Sequence, residues 1–250
     1  MRILVTNCNT TRSMTEEICE GARRAAAPGT RIHGLTPAWG PESAEGWLDS
    51  YLSAAAVLDL LRTEAERAQA PDGEPFDAVV MAGFGEHGRE GARELLAVPV
   101  VDITEAAAHL ACLLGRRYGV VTTLDRTRGQ IEDSLYTAGV GQHCAAVVGT
   151  GLGVLELDDA DRTLAAIDTA AARAREVGAE VLVLGCAGMT RWSTEVAART
   201  GMPVVDGVAA AVKLAEALVA LGLSTSRTGG YGRPRPKRRS WPPARDIPTI

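Results

Sequence analysis

The sequence predicts an α/β protein of two pseudo-symmetric lobes, each a doubly wound parallel sheet, with a ligand site in the cleft between them. Three observations carry that expectation. Short β-branched or apolar runs alternate with alanine-rich amphipathic stretches, the pattern of parallel strands linked by helices. One strand, turn, strand and helix pattern occurs twice, as when a single unit has been copied. Small or polar residues follow several strands, and ligands of doubly wound sheets sit beyond the carboxyl ends of the strands.

In chain order, the apolar or β-branched runs predict strands over 3–6, 31–35, 78–82, 98–103, 118–122, 145–148, 181–185 and 203–206. Between them, alanine-rich amphipathic stretches predict helices over 15–27, 47–68, 91–96, 104–114, 126–138, 160–177, 191–200 and 208–221. The repeat divides these elements. Ala78-Val79-Val80-Met81-Ala82-Gly83-Phe84-Gly85 leads to Pro99-Val100-Val101-Asp102 and an alanine-rich helix; Val181-Leu182-Val183-Leu184-Gly185-Cys186-Ala187-Gly188 leads to Pro203-Val204-Val205-Asp206 and another. Residues 1–103 are therefore expected to form the first lobe and 104–206 the second, with a helix over 207–223 returning to the first. Gly83 and Cys186 take equivalent places in the two copies, one on either side of the cleft.

Residues 224–250 differ in kind. Five prolines, the Gly229-Gly230 pair and seven Lys or Arg residues stand against the single acid Asp246, so an extended arm is expected there, with Trp241 offering apolar surface for docking on the body. The whole chain carries a net charge of −5 and has no overall basic face, which argues against nucleic acid as the principal partner. The start turns polar at Thr6-Asn7 and no apolar run approaches the roughly 18–20 residues of a membrane span. No membrane partner and a cytoplasmic location are the expectations. The five cysteines are scattered and odd in number, without the spacing of metal ligands or of a redox dithiol, so free thiols and no metal are expected.

Chemistry is expected at Cys186, which ends an apolar strand and precedes a helix. Helical N–H groups near the sulfur favour the thiolate, a competent base for a proton made acidic by an adjacent carbonyl. The alternative is a small buried hydrophobe. Asn7-Cys8-Asn9-Thr10-Thr11 follows the first strand and serves equally as a clamp for a carboxylate or enolate oxygen or as a turn and helix cap. Thr122-Thr123 has the same two readings. Gly149-Thr150-Gly151-Leu152-Gly153 lacks the third glycine and the following helix of a dinucleotide fingerprint, and no phosphate loop is present, so no cofactor is implied.

Four stretches resemble the hydantoin racemase branch of the aspartate/glutamate racemase superfamily. They are Asn7-x-Asn9-Thr10 after the first strand, Glu45-Gly46, the turn Gly83-Phe84-Gly85-Glu86-His87-Gly88, and Gly185-Cys186-Ala187-Gly188-Met189, and the likeness runs to about Leu223. The resemblance implies a cofactor-free enzyme that assembles as a homo-oligomer and flanks the substrate carbon with two cysteines, one per lobe. It makes Cys186 the second-lobe cysteine and gives Asn9, Thr10, Thr122 and Thr123 the substrate's carboxylate or imide oxygens, with Asn7, Gly83, Phe84, Gly185 and Ala187 completing the wall. Three positions depart from the family pattern. Gly83 replaces the first-lobe cysteine, Cys8 replaces a proline, and Glu86-His87 replaces Asp-Pro.

Gly83 offers no acid or base. Either Cys8 or His87 serves the vacated face, or the chain does single-face chemistry, as in arylmalonate decarboxylase, a relative with a similar constellation of one cysteine and one glycine. The expected function is cofactor-independent proton transfer beside a carbonyl of a small carbonyl or carboxylate substrate, with Cys186 as acid/base. A decarboxylase or a non-racemising isomerase or cyclase passing through an enolate is the first alternative, and a non-catalytic binding protein is the second.

Overall fold

The computed structural model describes residues 1–239. In its first half β1 (Arg2–Thr6), α1 (Arg12–Ala25), β2 (Arg31–Leu35), α2 (Trp47–Ala68), β3 (Ala78–Met81), α3 (Arg89–Leu95), β4 (Val100–Asp102) and α4 (Ile103–Leu114) follow one another. The second half repeats the alternation with β5 (Tyr118–Thr122), α5 (Arg128–Thr137), β6 (Cys144–Gly149), α6 (Ala160–Glu176), β7 (Val181–Leu184), α7 (Ser193–Thr200), β8 (Val204–Asp206) and α8 (Gly207–Ala220).

Helices on both faces leave no solvent side to a strand, so β3 and β7 read as unbroken apolar runs and every residue in them is buried. The strands pair in parallel in two four-stranded sheets of order β2-β1-β3-β4 and β6-β5-β7-β8. The orders are the same once the second half is renumbered, which is the repeat of the sequence expressed in space. Its two Val-Val-Asp strands end alike. Asp102 accepts the N–H groups of Thr104 and Glu105 at the start of α4, and Asp206 accepts those of Val208 and Ala209 at the start of α8, each satisfying donors that a helix start leaves unpaired.

The two capped helices cross between the sheets. α4 packs on β7, α8 packs on β3 and α1, and the two helices lie against each other. Ala107, Ala108, Ala111, Ala211 and Ala215 are wholly buried in this seam. Small side chains allow the close approach, and each larger apolar residue buried among them, such as Ile103 or Val208, contributes roughly 1.5–3 kcal/mol. The carboxyl ends of both sheets are thereby held facing one cleft.

The elements differ from expectation mainly at their starts. α1 begins at Arg12 rather than at residue 15. Tight 3₁₀ turns precede α5 (Asp125–Thr127) and α7 (Ala187–Trp192), because the chain leaving each strand must turn sharply over the cleft before a full helix can begin. After α8, the chain docks on the first lobe: Thr225 donates its N–H to the Ala97 carbonyl at 2.9 Å and its hydroxyl to Val98 at 2.7 Å. The Arg227 guanidinium donates to the carbonyls of Arg93, Glu94 and Leu96 at the end of α3. Prolines and glycines do not keep the arm wholly extended, since Gly229–Tyr231 forms a 3₁₀ turn. Trp241 lies outside the described residues. No described helix is long and apolar enough to cross a membrane.

Candidate active site

Cys186 stands two residues past the end of β7 and Gly83 two residues past the end of β3, and both line one cavity between the lobes. The 3₁₀ turn after Cys186 brings the N–H groups of Gly188 and Met189 to its sulfur, and these favour the thiolate. Burial opposes them and wins, aided by the negative charge of Glu45, so the Cys186 thiol is pushed up to about 11. The helical N–H groups expected near Cys186 do favour the thiolate, but the surrounding protein removes more hydration from the anion than two N–H groups replace.

The three departures from the family pattern meet at a single point. A β-carbon built on Gly83 would lie 2.5 Å from Cδ2 of His87, 2.7 Å from Cβ of Cys8 and 2.9 Å from its sulfur. No real β-carbon tolerates such contacts, so the side chains of Cys8 and His87 fill the volume that a residue at 83 would need. Cys8 borders the cavity from the first lobe and Cys186 from the second. Burial first and the neighbouring Cys186 second raise the Cys8 thiol to about 12, since two thiolates in one enclosed space repel.

His87 is not a surface residue. Only 5% of it is exposed, and both ring nitrogens face protein: Nε2 is 3.2 Å from the Phe84 carbonyl and Nδ1 is 3.2 Å from the Ser50 hydroxyl. Burial lowers its pKa, which keeps the ring neutral. The turn that carries it is pinned by α4 and α5. The Thr104 hydroxyl donates to the Gly85 carbonyl and accepts from the Gly85 N–H, and the Ser134 hydroxyl of α5 donates to the same carbonyl. Gly85 has φ +118, a conformation that a side chain strains. Glu86 accepts the N–H groups of Gly88 and Arg89 at the start of α3.

In the loop after β1, the Asn7 amide is used by the protein itself, donating to Asn9, Thr11 and Thr15 and accepting from the Asn9 N–H. The side-chain amide nitrogen of Asn9 donates only to the Met14 thioether, at 3.6 Å, which leaves amide hydrogen-bonding capacity toward the cavity that it lines. Thr10 does not reach the cavity; its hydroxyl donates to the Pro41 carbonyl. Thr122 lines the cavity but donates to the Gly185 carbonyl, tying β5 to the turn below Cys186. Thr123, Phe84, Gly185 and Ala187 are brought to the wall. Glu45 crosses the cleft mouth, accepting the Val154 N–H at 2.9 Å, so the loop of the Glu45-Gly46 pair ties first lobe to second.

Sequence reasoning missed Gln130 of α5. It is 4% exposed, lines the cavity, and its Nε2 has no hydrogen-bond partner. A buried amide without a partner costs roughly 1–3 kcal/mol, which a substrate oxygen would recover. Its signal was in the helix phase, since Gln130 and Ser134 share the buried face of α5 with Ile131 and Leu135. No Asp, Glu, Lys or Arg lines the cavity among the described residues, and no cluster of metal-ligating side chains occurs among them.

Two α/β lobes closing on a thiol at the carboxyl end of a parallel strand define a class, and sequence comparison agrees: the chain belongs to the Asp/Glu/Hydantoin racemase family, whose family model matches residues 3–215. It is similar to a hydantoin racemase from Rhizobium meliloti, 39% identical over 242 residues that cover 95% of this chain and 96% of the relative. Among solved structures it is similar to an allantoin racemase from Pseudomonas fluorescens, with 55% identity, a TM-score of 0.90, and coverage of 96% of this chain and 100% of that one. Arylmalonate decarboxylase, 19% identical with a TM-score of 0.61 and coverage of 93% and 98%, shares the fold. The protein is an enzyme of the racemase class, as the resemblance implied.

Proposed function

We propose that the cleft takes a neutral five-membered cyclic ureide of the hydantoin type and that Cys186 moves the proton on the ring carbon beside a carbonyl, without a cofactor. The observation that carries this reading is the pairing of a cavity-facing thiol with a wall that holds amides and hydroxyls but no charged side chain among the described residues. An amino acid would bring a carboxylate and an ammonium into that enclosure, and a malonate two carboxylates, each needing a partner to offset lost hydration. A neutral ureide needs only hydrogen bonds, for which Gln130 and Asn9 offer amide donors. The charge-free wall therefore favours racemisation of a ureide over decarboxylation, although Gly83 alone is common ground with the decarboxylase reading. The hydantoin and allantoin racemases among its relatives support the same substrate class.

In the reaction, the Cys186 thiolate takes the proton from carbon and the electron pair passes to the carbonyl oxygen. Donors aimed at that oxygen stabilise the enolate as its charge grows. A homo-oligomer is part of this reading, supported by the exposed apolar Trp47, Leu48 and Tyr51 at the start of α2.

Circular dichroism of enantiopure allantoin and enantiopure 5-benzylhydantoin tests the proposal. The protein should abolish the signal of one or both far faster than the uncatalysed reaction, and Cys186→Ser should lose at least about 100-fold of that acceleration while keeping the fold. A rate equal to the uncatalysed one on both compounds rejects the ureide reading, and an active Cys186→Ser variant removes Cys186 from the chemistry.

A further inference from the structure

We infer that Cys8 is the acid/base of the face opposite Cys186, standing in the space that the absent side chain of Gly83 leaves open. The inference rests on the reading of the cleft as a site of proton transfer at a ureide carbon. Inversion of a carbon centre needs a proton removed on one face and another delivered on the opposite face, so one acid/base must come from each lobe. Gly83, the first-lobe equivalent of Cys186, has no side chain, and the groups filling its place are Cys8 and His87.

Geometry separates the two. His87 presents carbon toward Gly83, with Cδ2 as its nearest atom, while its nitrogens lie against Phe84 and Ser50. A ring in that pose has no lone pair or N–H to offer the cavity. Cys8 presents its sulfur, 2.9 Å from where the Gly83 β-carbon would be and on the wall of the cavity that Cys186 also borders. Gln130, buried, unpartnered and on the same wall, marks the enclosed space as one that awaits a ligand oxygen. His87 is then a positioning residue. Its ring packs where it confines the Cys8 side chain, and its hydrogen bonds hold the turn.

The proton balance closes with the two sulfurs alone. One starts as thiolate and the other as thiol. Cys186 as thiolate accepts the proton from carbon, the electron pair is held on the carbonyl oxygen, and the Cys8 thiol gives its proton to the opposite face as the pair returns to carbon. Cys186 ends as thiol and Cys8 as thiolate, the state from which the other enantiomer is converted by the reverse path. Mutual repulsion of two enclosed thiolates disfavours the doubly ionised pair, so that once one sulfur is ionised the other stays a thiol, as this requires.

The test uses the whole protein with each enantiomer of 5-benzylhydantoin and of allantoin in deuterium oxide, following inversion by circular dichroism and C–H exchange by proton NMR. The parent should invert both enantiomers. Cys8→Ser, which keeps the size of the side chain, should lose at least about 100-fold in inversion yet still exchange deuterium into one enantiomer through Cys186. Cys186→Ser should show the mirror image, exchanging only the other enantiomer. Inversion by Cys8→Ser within about threefold of the parent overturns the inference, as does exchange of the same enantiomer by both variants, or the mirror-image loss appearing in His87→Asn instead. A parent that exchanges neither compound overturns the ureide reading itself and this inference with it, a result distinct from an active parent with an active Cys8→Ser.

Discussion

The sulfur of Cys8 lies 2.9 Å from the point that a β-carbon on Gly83 would occupy, with Cδ2 of His87 nearer still at 2.5 Å. Restoring a side chain at 83 in this chain is therefore not a matter of filling a hole. Gly83→Cys should be destabilised by roughly 1–3 kcal/mol, the cost of overpacking a close-fitted interior, read as a shift in denaturant midpoint. Adding Cys8→Gly should recover part of the loss, because it removes two of the three contacts. A single Gly83→Cys variant as stable as the parent would show that the site relaxes more freely than its packing implies.

Both cleft thiols ionise far above neutrality, at about 11 for Cys186 and about 12 for Cys8, chiefly through burial. The thiolate fraction of Cys186 then rises about tenfold per pH unit below its pKa, and kcat/KM for an enantiopure hydantoin, corrected for base-catalysed loss, should climb steadily from pH 6 to 9. Stability follows the opposite sign. A folded-state pKa raised above the unfolded thiol's, about 8.5, contributes stability that is complete below that pH and is lost as pH rises toward about 11. Thermal melts of the parent should fall over this window more steeply than those of Cys8→Ala and Cys186→Ala.

Gln130→Leu removes a buried donor that no protein group uses. Stability should hold or rise slightly, while kcat/KM should drop by about 10-fold to 100-fold, the worth of one substrate hydrogen bond in an enclosed site. The combination distinguishes a ligand-facing amide from a structural one, whose loss would lower the melting temperature first.

Arg227 donates to three carbonyls at the end of α3, where a helix leaves acceptors unpaired and a cation is favoured. Arg227→Ala should cost about 1–2 kcal/mol in urea denaturation and change turnover little. Truncation after Leu223 should cost more, since it also removes the Thr225 bonds to Ala97 and Val98.

The sequence by itself determined the eightfold alternation of strand and helix, because periodicity is written in neighbouring residues and each parallel strand must be apolar throughout. It determined the duplication too, and with it the equivalence of Gly83 and Cys186, since each is the sixth residue of the repeated stretches that open at Ala78 and Val181. It named Cys8 and His87 as candidates for the vacated face, because both depart from the pattern of the family that the chain resembles. What it left open was decided by contacts between residues distant in the chain. His87 reads as a loop residue until Phe84 and Ser50 are seen to hold its nitrogens, and Asn7 reads as a substrate clamp until its amide is seen to be used within its own loop. Gln130 shows no motif at all, since its lack of a partner depends on what surrounds α5. The ionisation of Cys186 turned on the same cause: local N–H groups are legible in the order of residues, but the depth of burial that outweighs them exists only once both lobes have closed over the sulfur.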